Sequence, residues 1–432
     1  MNQDLLEKLQ SAYRDLDLFP LIEPEDIQRF RVEYGREVLV RLKREVEASD
    51  KKGKLIFAGH RGCGKSTLLK RFSVEMQEKY FVVFFSVADL IEMSDVSHVK
   101  ILYSIGLMLL NKASKVQIPV ADDIKKTLIG WIETTRKTTG EKETKSEFGI
   151  NTDFLKVISA KLQQERTFRE EVERTYARKI SDLVQKLDRL ASSVQTHTKK
   201  PVLVVIDDLD KLDLSVIEPI YRQNVKALFS PAFKMVLTIP VSAIQEPSVM
   251  GALTSEGIVR PQLFPVTKFY SRQDCHNPDA VPNETYINLF EEVLAKRFPP
   301  GLLNPQTTRK LALMSGGVMR ELVRLGRECC TECMVQLEID PDCDHIEIDD
   351  EILAAAARNL RNDFARQLQP SFYDVLAQVY NTLKPVEGEE FVKLLHGLMV
   401  LEYENDALWY DVHPLVQDLL RREGLIESGA SS

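Results

Sequence analysis

The chain has 432 residues, 44% of them hydrophobic and 28% charged, with a formal net charge of −8. That length exceeds one ordinary hydrophobic core, so two or three domains are expected. No stretch approaches the roughly 18 uncharged apolar residues of a membrane span, and the acidic balance excludes nucleic-acid binding driven by the overall field, leaving only a local basic patch. Met1 to Asp17 carries Asp4, Glu7, Asp15 and Asp17 and no apolar core, so it does not read as a secretory signal and a cytoplasmic location is expected.

Residues 1–50 read as a helical lead-in, with Val38, Leu39, Leu42 and Val46 at helical spacing among charges. Leu55 to Ala58 is a short apolar run, then come a glycine-rich loop and a helix starting at Thr67; a second strand is predicted at Phe81 to Phe85. Residues 120–198 carry few aromatics, a polar cluster at Thr134 to Ser146 and a long charged helix predicted from about Lys156 to Ser193, which together read as an insertion. Its Arg166, Arg169 and Arg174 either face a phosphate of a neighbouring subunit or form a solvated helix face.

Val202 to Ile206 is the uninterrupted β-branched run of a strand buried on both faces, and Met235 to Ile239 repeats it up to Pro240. Strands separated by helices predict an α/β parallel sheet over residues 51–275. A helical lid is expected over 276–350. The last region, 351–432, reads as helices at Ile352 to Leu368, Phe372 to Leu383 and Phe391 to Leu398. Strands Met399 to Tyr403 and Leu408 to Val412 then flank a turn at Glu404 to Ala407, followed by a final helix to Arg422, the order of a winged-helix domain. The closing Glu423 to Ser432 is expected to fray.

Six cysteines, at positions 63, 275, 329, 330, 333 and 343, show no disulfide spacing. Cys329, Cys333, Cys343 and His345 admit a zinc site, but adjacent Cys329 and Cys330 on one helix and the lack of paired C-x-x-C knuckles favour buried thiols.

Gly59-His60-Arg61-Gly62-Cys63-Gly64-Lys65-Ser66 fits G-x-x-x-x-G-K-[ST] without mismatch, between a predicted strand and helix. Glycines at 59, 62 and 64 let backbone N–H groups, including that of Cys63, turn inward as an anion nest, and the helix from Thr67 points its positive end at the phosphates. Lys65 is expected to reach the β and γ oxygens of ATP and Ser66 to hold Mg2+. Asp207 and Asp208 end the buried strand, where a carboxylate needs a metal or a hydrogen-bond network. Asp207 is assigned to the magnesium and Asp208 to the attacking water. Asp210 and Asp213 read as loop solvation. Thr238 either touches the γ-phosphate or its water, or is an ordinary strand-end hydroxyl. Arg320, after Ser315 to Met319, is a candidate for reaching the phosphates from the lid. Arg222 and Arg260 are weaker candidates acting on a neighbouring subunit.

On these motifs the chain resembles the AAA+ and STAND group of P-loop ATPases, particularly the branch containing origin-recognition-type initiators and STAND-like switches. The resemblance spans roughly residues 20–420. It implies that Gly35-Arg36-Glu37 lie beside adenine, that Thr238 is sensor 1, that Arg320 in Ser315 to Arg320 is sensor 2, and that a winged helix follows the lid. Asp411 to Val416 is similar to the segment whose histidine contacts the ADP-bound site, which makes His413 a candidate latch; a helix-capping histidine is the competing reading. Two departures stand out: Asp-Asp replaces the Asp-Glu of many AAA+ machines, which favours the switch-like branch, and the 120–198 insertion is outside the common core. The expected function is a nucleotide-dependent switch, of the kind used in bacterial signalling or defence, that forms a homo-oligomer or engages a protein partner. The alternatives are a DNA-associated ATPase of the initiator or transposition-regulator kind, using its winged helix on DNA, and an idle nucleotide-holding scaffold. Against DNA, the region Glu389 to Leu398 sets Lys393 and His396 beside Glu389 and Glu390, and the hairpin tip is acidic.

Overall fold

The computed structural model describes residues 3–126, 128, 152–343, 345–404 and 407–427. The polar cluster at Thr134 to Ser146, the hairpin-tip residues Asn405 and Asp406 and the end of the tail lie outside them. The chain folds as two compact units, one of residues 37–58 and 68–263, the other of residues 1–36, 59–67 and 264–432.

The first unit is an α/β fold around a five-stranded parallel sheet of order β2-β3-β4-β1-β5. The strands are β1 (Lys54–Gly59), β2 (Phe81–Ser86), β3 (Val202–Asp207), β4 (Lys234–Pro240) and β5 (Gln262–Phe264). β2 runs parallel to β3 from Phe81↔Val202 to Ser86↔Asp207, and β3 parallel to β4 from Leu203↔Lys234 to Ile206↔Leu237. Every residue of β3 and β4 is buried, as continuous apolar runs require. The core joins Ile56, Val83, Phe85, Val204, Ile206 and Leu237 to the helix His98–Lys115, which is buried over most of its circumference. That helix lacks the one-sided pattern of a surface helix, so periodicity alone did not mark it.

The long helix expected from Lys156 to Ser193 is three helices, Thr152–Gln164, Arg166–Tyr176 and Ile180–Thr198. The reading of Arg169 as surface charge is also corrected. Arg169 is buried: its Nε donates to Asp95 Oδ2 at 2.7 Å and its guanidinium to the carbonyls of Leu162 and Gln163 at 3.2 and 2.7 Å. Lys100 pairs with the same carboxylate. Burial raises the Asp95 pKa, but these hydrogen bonds outweigh it and leave it below its ordinary value. Arg166 and Arg174 remain exposed beside Glu170 and Glu171.

Among its described residues the second unit is helical apart from one hairpin and an isolated parallel bridge between Leu303 and Ile348. Gln3–Asp15 packs on Met319–Ile339, and Asp350–Ala365 packs on Met319–Ile339 and Pro414–Arg422. Asp349 caps Asp350–Ala365 through the N–H groups of Glu351 and Ile352, both at 3.0 Å. Cys329, Cys330 and Cys333 are fully buried in Met319–Ile339, the thiol environment expected for them, and burial raises all three pKa values. Helices Pro370–Thr382 and Glu389–His396 lead to antiparallel β6 (Val400–Glu404) and β7 (Leu408–Val412), then Pro414–Arg422. The hairpin is locked by Tyr403 stacked on Trp409, with ring centroids 4.5 Å apart, and by the Tyr410 hydroxyl donating to Glu402 at 2.8 Å.

Candidate nucleotide site

In the second unit the loop 59–67 has the backbone its glycines promise. Gly62 and Gly64 have φ of 83° and 95°, values that L residues rarely adopt. A Cβ on Gly59 would sit 2.6 Å from the Phe264 carbonyl, and one on Gly62 would sit 2.5 Å from Arg320 Cβ. The helix Lys65–Met76 begins at the lysine itself. Lys65 is buried, and its Nζ donates to the carbonyls of Gly59 and His60 at 2.9 and 2.6 Å. Thr67 Oγ1 accepts the Leu21 N–H at 3.2 Å, and Cys63 is buried. This loop therefore fits a polyphosphate: an alternating backbone nest ahead of a helix N-terminus, with an ammonium held inside it.

Three residues that the motif reading passed over hold this loop. His60 is buried, and its Nε2 accepts the Glu402 N–H of β6 at 2.8 Å. Arg61 lies 2.7 Å from His396 Nε2. The Tyr34 ring lies along Gly64 and packs edge-on against Phe264, and its hydroxyl oxygen accepts the Thr267 hydroxyl at 2.9 Å. His60 and Arg61 occupy the free positions of the motif, which carry no local signal. Tyr34 adjoins Gly35 and was discoverable only by that adjacency.

Gly35 takes φ of 68° and Arg36, exposed, starts Arg36–Ala48. Arg320 meets the loop through its backbone, its N–H donating to the Gly62 carbonyl at 3.0 Å. His413 is fully buried and its Nδ1 accepts the Leu415 N–H at 3.2 Å, capping Pro414–Arg422. The helix-capping reading describes its position here. Burial holds both His60 and His413 down to about 3; Lys65 and His396 add to this for His60, and Arg324 for His413.

In the first unit the acids cluster at the carboxyl end of β3. Oxygens of Asp207, Asp208 and Asp210 lie within 4.8 Å of one another and all three residues are buried, a donor set suited to a hard divalent cation. Asp207 Oδ1 accepts the Asp208 N–H at 2.8 Å. Asp208 adopts φ of 67°, receives the Ser86 hydroxyl at 2.6 Å and pairs with Lys211 at 2.6 Å. Asp210 is thus a buried member of this cluster rather than loop solvation. Thr238 is fully buried; its hydroxyl accepts the Leu209 N–H at 2.9 Å, tying β4 to the turn after β3, while its carbonyl accepts the Tyr221 hydroxyl at 2.9 Å. Arg222 is exposed and paired with Glu218, and Arg260 is exposed.

No family model and no curated protein matches the chain. Among solved structures it is similar to the Walker-type ATPase PABY2304 of Pyrococcus abyssi, at 14% identity and a TM-score of 0.45 over 94% of this chain and 99% of that one. It is also similar to the Orc1 protein of Aeropyrum pernix, solved in complex with DNA, at 12% identity and a TM-score of 0.39 over 94% and 96%. Cdc6p of Pyrobaculum aerophilum aligns at 10% identity and a TM-score of 0.37 over 94% and 97%.

Proposed function

We propose that the protein is an ATP-binding and ATP-hydrolysing molecular switch whose nucleotide loop is wired to its C-terminal helix–hairpin region. The observation that carries the switch reading is that two residues inside the phosphate loop, His60 and Arg61, are engaged by Glu402 and His396 of that region. The order of helices, hairpin and final helix supports reading 351–432 as a winged helix.

In this reading the loop N–H groups from Gly59 to Thr67 bind the phosphates. Lys65 leaves the Gly59 and His60 carbonyls to meet the β and γ oxygens. Gly35 and Arg36 flank the adenine and Arg320 answers to the phosphates from the lid. Ser66 and Asp207 would hold Mg2+, which when bound neutralises developing charge on the phosphates. Asp208, fixed by Ser86 and Lys211, orients or deprotonates the attacking water, and Thr238 positions the turn that carries these acids.

Nucleotide turnover then moves the lid and wing to expose or cover a surface for a second copy or a protein partner. A DNA-reading wing is the second reading, with weaker support. Lys393 is paired with Glu389 at 3.1 Å on the surface and His396 faces the Arg61 guanidinium as an acceptor, so Glu389–His396 offers a single lysine, already beside a carboxylate, to a phosphate backbone. A cytoplasmic setting is part of the proposal; no described helix is long and apolar enough to cross a membrane.

Nucleotide binding and turnover of purified variants test the assignment. Lys65→Ala is expected to lose ATP binding, and Asp208→Asn to bind ATP with magnesium without hydrolysing it. Equal turnover in wild type and Asp208→Asn removes Asp208 from catalysis, and failure of the wild type to retain any adenine nucleotide ends the reading.

A further inference from the structure

Away from the phosphate loop, three side chains with different donor atoms converge. Cys275 and His276 lie in the segment between β5 and the helix Glu284–Ala295, and Asp411 lies in β7. The thiol sulfur, an imidazole nitrogen and a carboxylate oxygen all fall within 4.8 Å of one another. His276 Nε2 is 3.0 Å from each Asp411 oxygen. Its ring is stacked on Tyr380, with centroids 3.8 Å apart and planes 14° apart, which fixes the direction of its nitrogens. Asp411 is buried, and its Oδ1 also accepts the Val412 N–H at 2.7 Å. Cys275 and Asp411 line a cavity of about 310 Å³ that Tyr403, Trp409 and Arg421 share.

A histidine–aspartate pair accounts for two of these groups; the Cys275 thiol, which donates to the Arg272 carbonyl at 3.3 Å, brings a sulfur to the same point. Calcium and magnesium take oxygen ligands and would not use the sulfur or the imidazole. Sulfur, nitrogen and oxygen around one point are the mixed donors of zinc, whose bonds of about 2.0 to 2.3 Å set ligand atoms some 3 to 4 Å apart. The convergence is already near that spacing, so small side-chain movements suffice. Orientation of the imidazole by stacking, and of the carboxylate by a backbone amide, is the outer support that metal ligands ordinarily have.

We propose that Cys275, His276 and Asp411 bind one zinc ion, with a fourth position open to the cavity. The ion ties the 271–277 segment to the hairpin, and the site is independent of the nucleotide reading.

The test is metal binding by the purified full-length protein after chelation. Titration with cobalt is expected to give the visible bands of a tetrahedral ion and a thiolate-to-cobalt charge-transfer band in the near ultraviolet, and zinc is expected to bind at one ion per chain and displace it. Cys275→Ser should abolish the charge-transfer band and weaken zinc binding by about tenfold or more, whereas Cys343→Ser and Lys65→Ala should leave both unchanged. Wild-type protein that binds no zinc, or a charge-transfer band that survives Cys275→Ser, overturns the assignment. Absence of the thiolate-to-cobalt band in the wild type overturns the assignment even where a variant fails to fold.

Discussion

The imidazole of His60, inside the phosphate loop, accepts the backbone amide of Glu402 in β6 at 2.8 Å, although 342 residues separate the two in the chain. Replacing His60 by phenylalanine keeps the volume and removes the acceptor, leaving a buried N–H without its partner. The expected loss is about 1–3 kcal/mol, read as a lower denaturant midpoint. Arg61→Ala and His396→Ala combined in a double-mutant cycle should show a coupling of about 1 kcal/mol. Limited proteolysis of both single variants should cut the 389–412 region faster than in wild type. Strict additivity would mean that the Arg61–His396 contact carries no energy.

Acid should weaken the fold through two histidines. His60 and His413 are held to about 3 against an ordinary value of 6.5, mainly by burial. The unfolded chain therefore takes up protons that the fold refuses, so the contribution of these two rings is level above pH 6.5 and declines from there down to about 3. At pH 5 each ring accounts for about 2 kcal/mol of that decline. His413→Asn retains a helix-capping side chain and removes one titrating ring. Its melting temperature should fall less between pH 7 and about 5 than that of wild type; an unchanged dependence would clear His413.

Gly317 is expected to be intolerant of any side chain. A Cβ there would lie 1.7 Å from the Thr267 carbonyl, and φ is 80°, so Gly317→Ala should destabilise by more than about 3 kcal/mol. Gly257 shares the left-handed backbone, at φ of 89°, but has open space around it. Gly257→Ala should lose only about 1–2 kcal/mol. Comparable midpoints for the two variants would show that the contact relaxes freely.

Arg169→Met removes a buried cation from Asp95 and frees the carbonyls of Leu162 and Gln163. Loss of about 1–3 kcal/mol is expected, mainly from the buried carbonyls left without a donor, because Asp95 is partly exposed and keeps Lys100. Arg166→Met, on an exposed side chain, should stay within about 0.5 kcal/mol of wild type. Chemical denaturation distinguishes a structural Arg169 from one kept for a neighbour's phosphate, which would leave the isolated chain's stability unchanged.

Much of the architecture could be read from the sequence because its signals are local. The runs at Val202 to Ile206 and Met235 to Ile239 became β3 and β4, and the glycine spacing became the left-handed positions at Gly62 and Gly64. What escaped depends on distant partners. The helix His98–Lys115 is apolar nearly all round, and β5 has three residues, so neither shows a period. The breaks at Glu165 and near Ala177 interrupt charged segments without glycine or proline to announce them. Arg169 resembles its exposed neighbours in sequence and differs only because Asp95 meets it 74 positions away. His60, Arg61 and the Cys275–His276–Asp411 group likewise join residues 135 or more positions apart.

Asp208 sits in a left-handed backbone conformation that glycine adopts freely and most residues avoid. Glycine at this position would relieve that strain and remove the carboxylate that Ser86 and Lys211 hold. If Asp208 activates water as proposed, a library screened only for thermal tolerance tests a trade between durability and chemistry localised to one torsion angle: Asp208→Gly is enriched where relief of the torsion outweighs the lost Ser86 and Lys211 contacts, and such clones lose turnover.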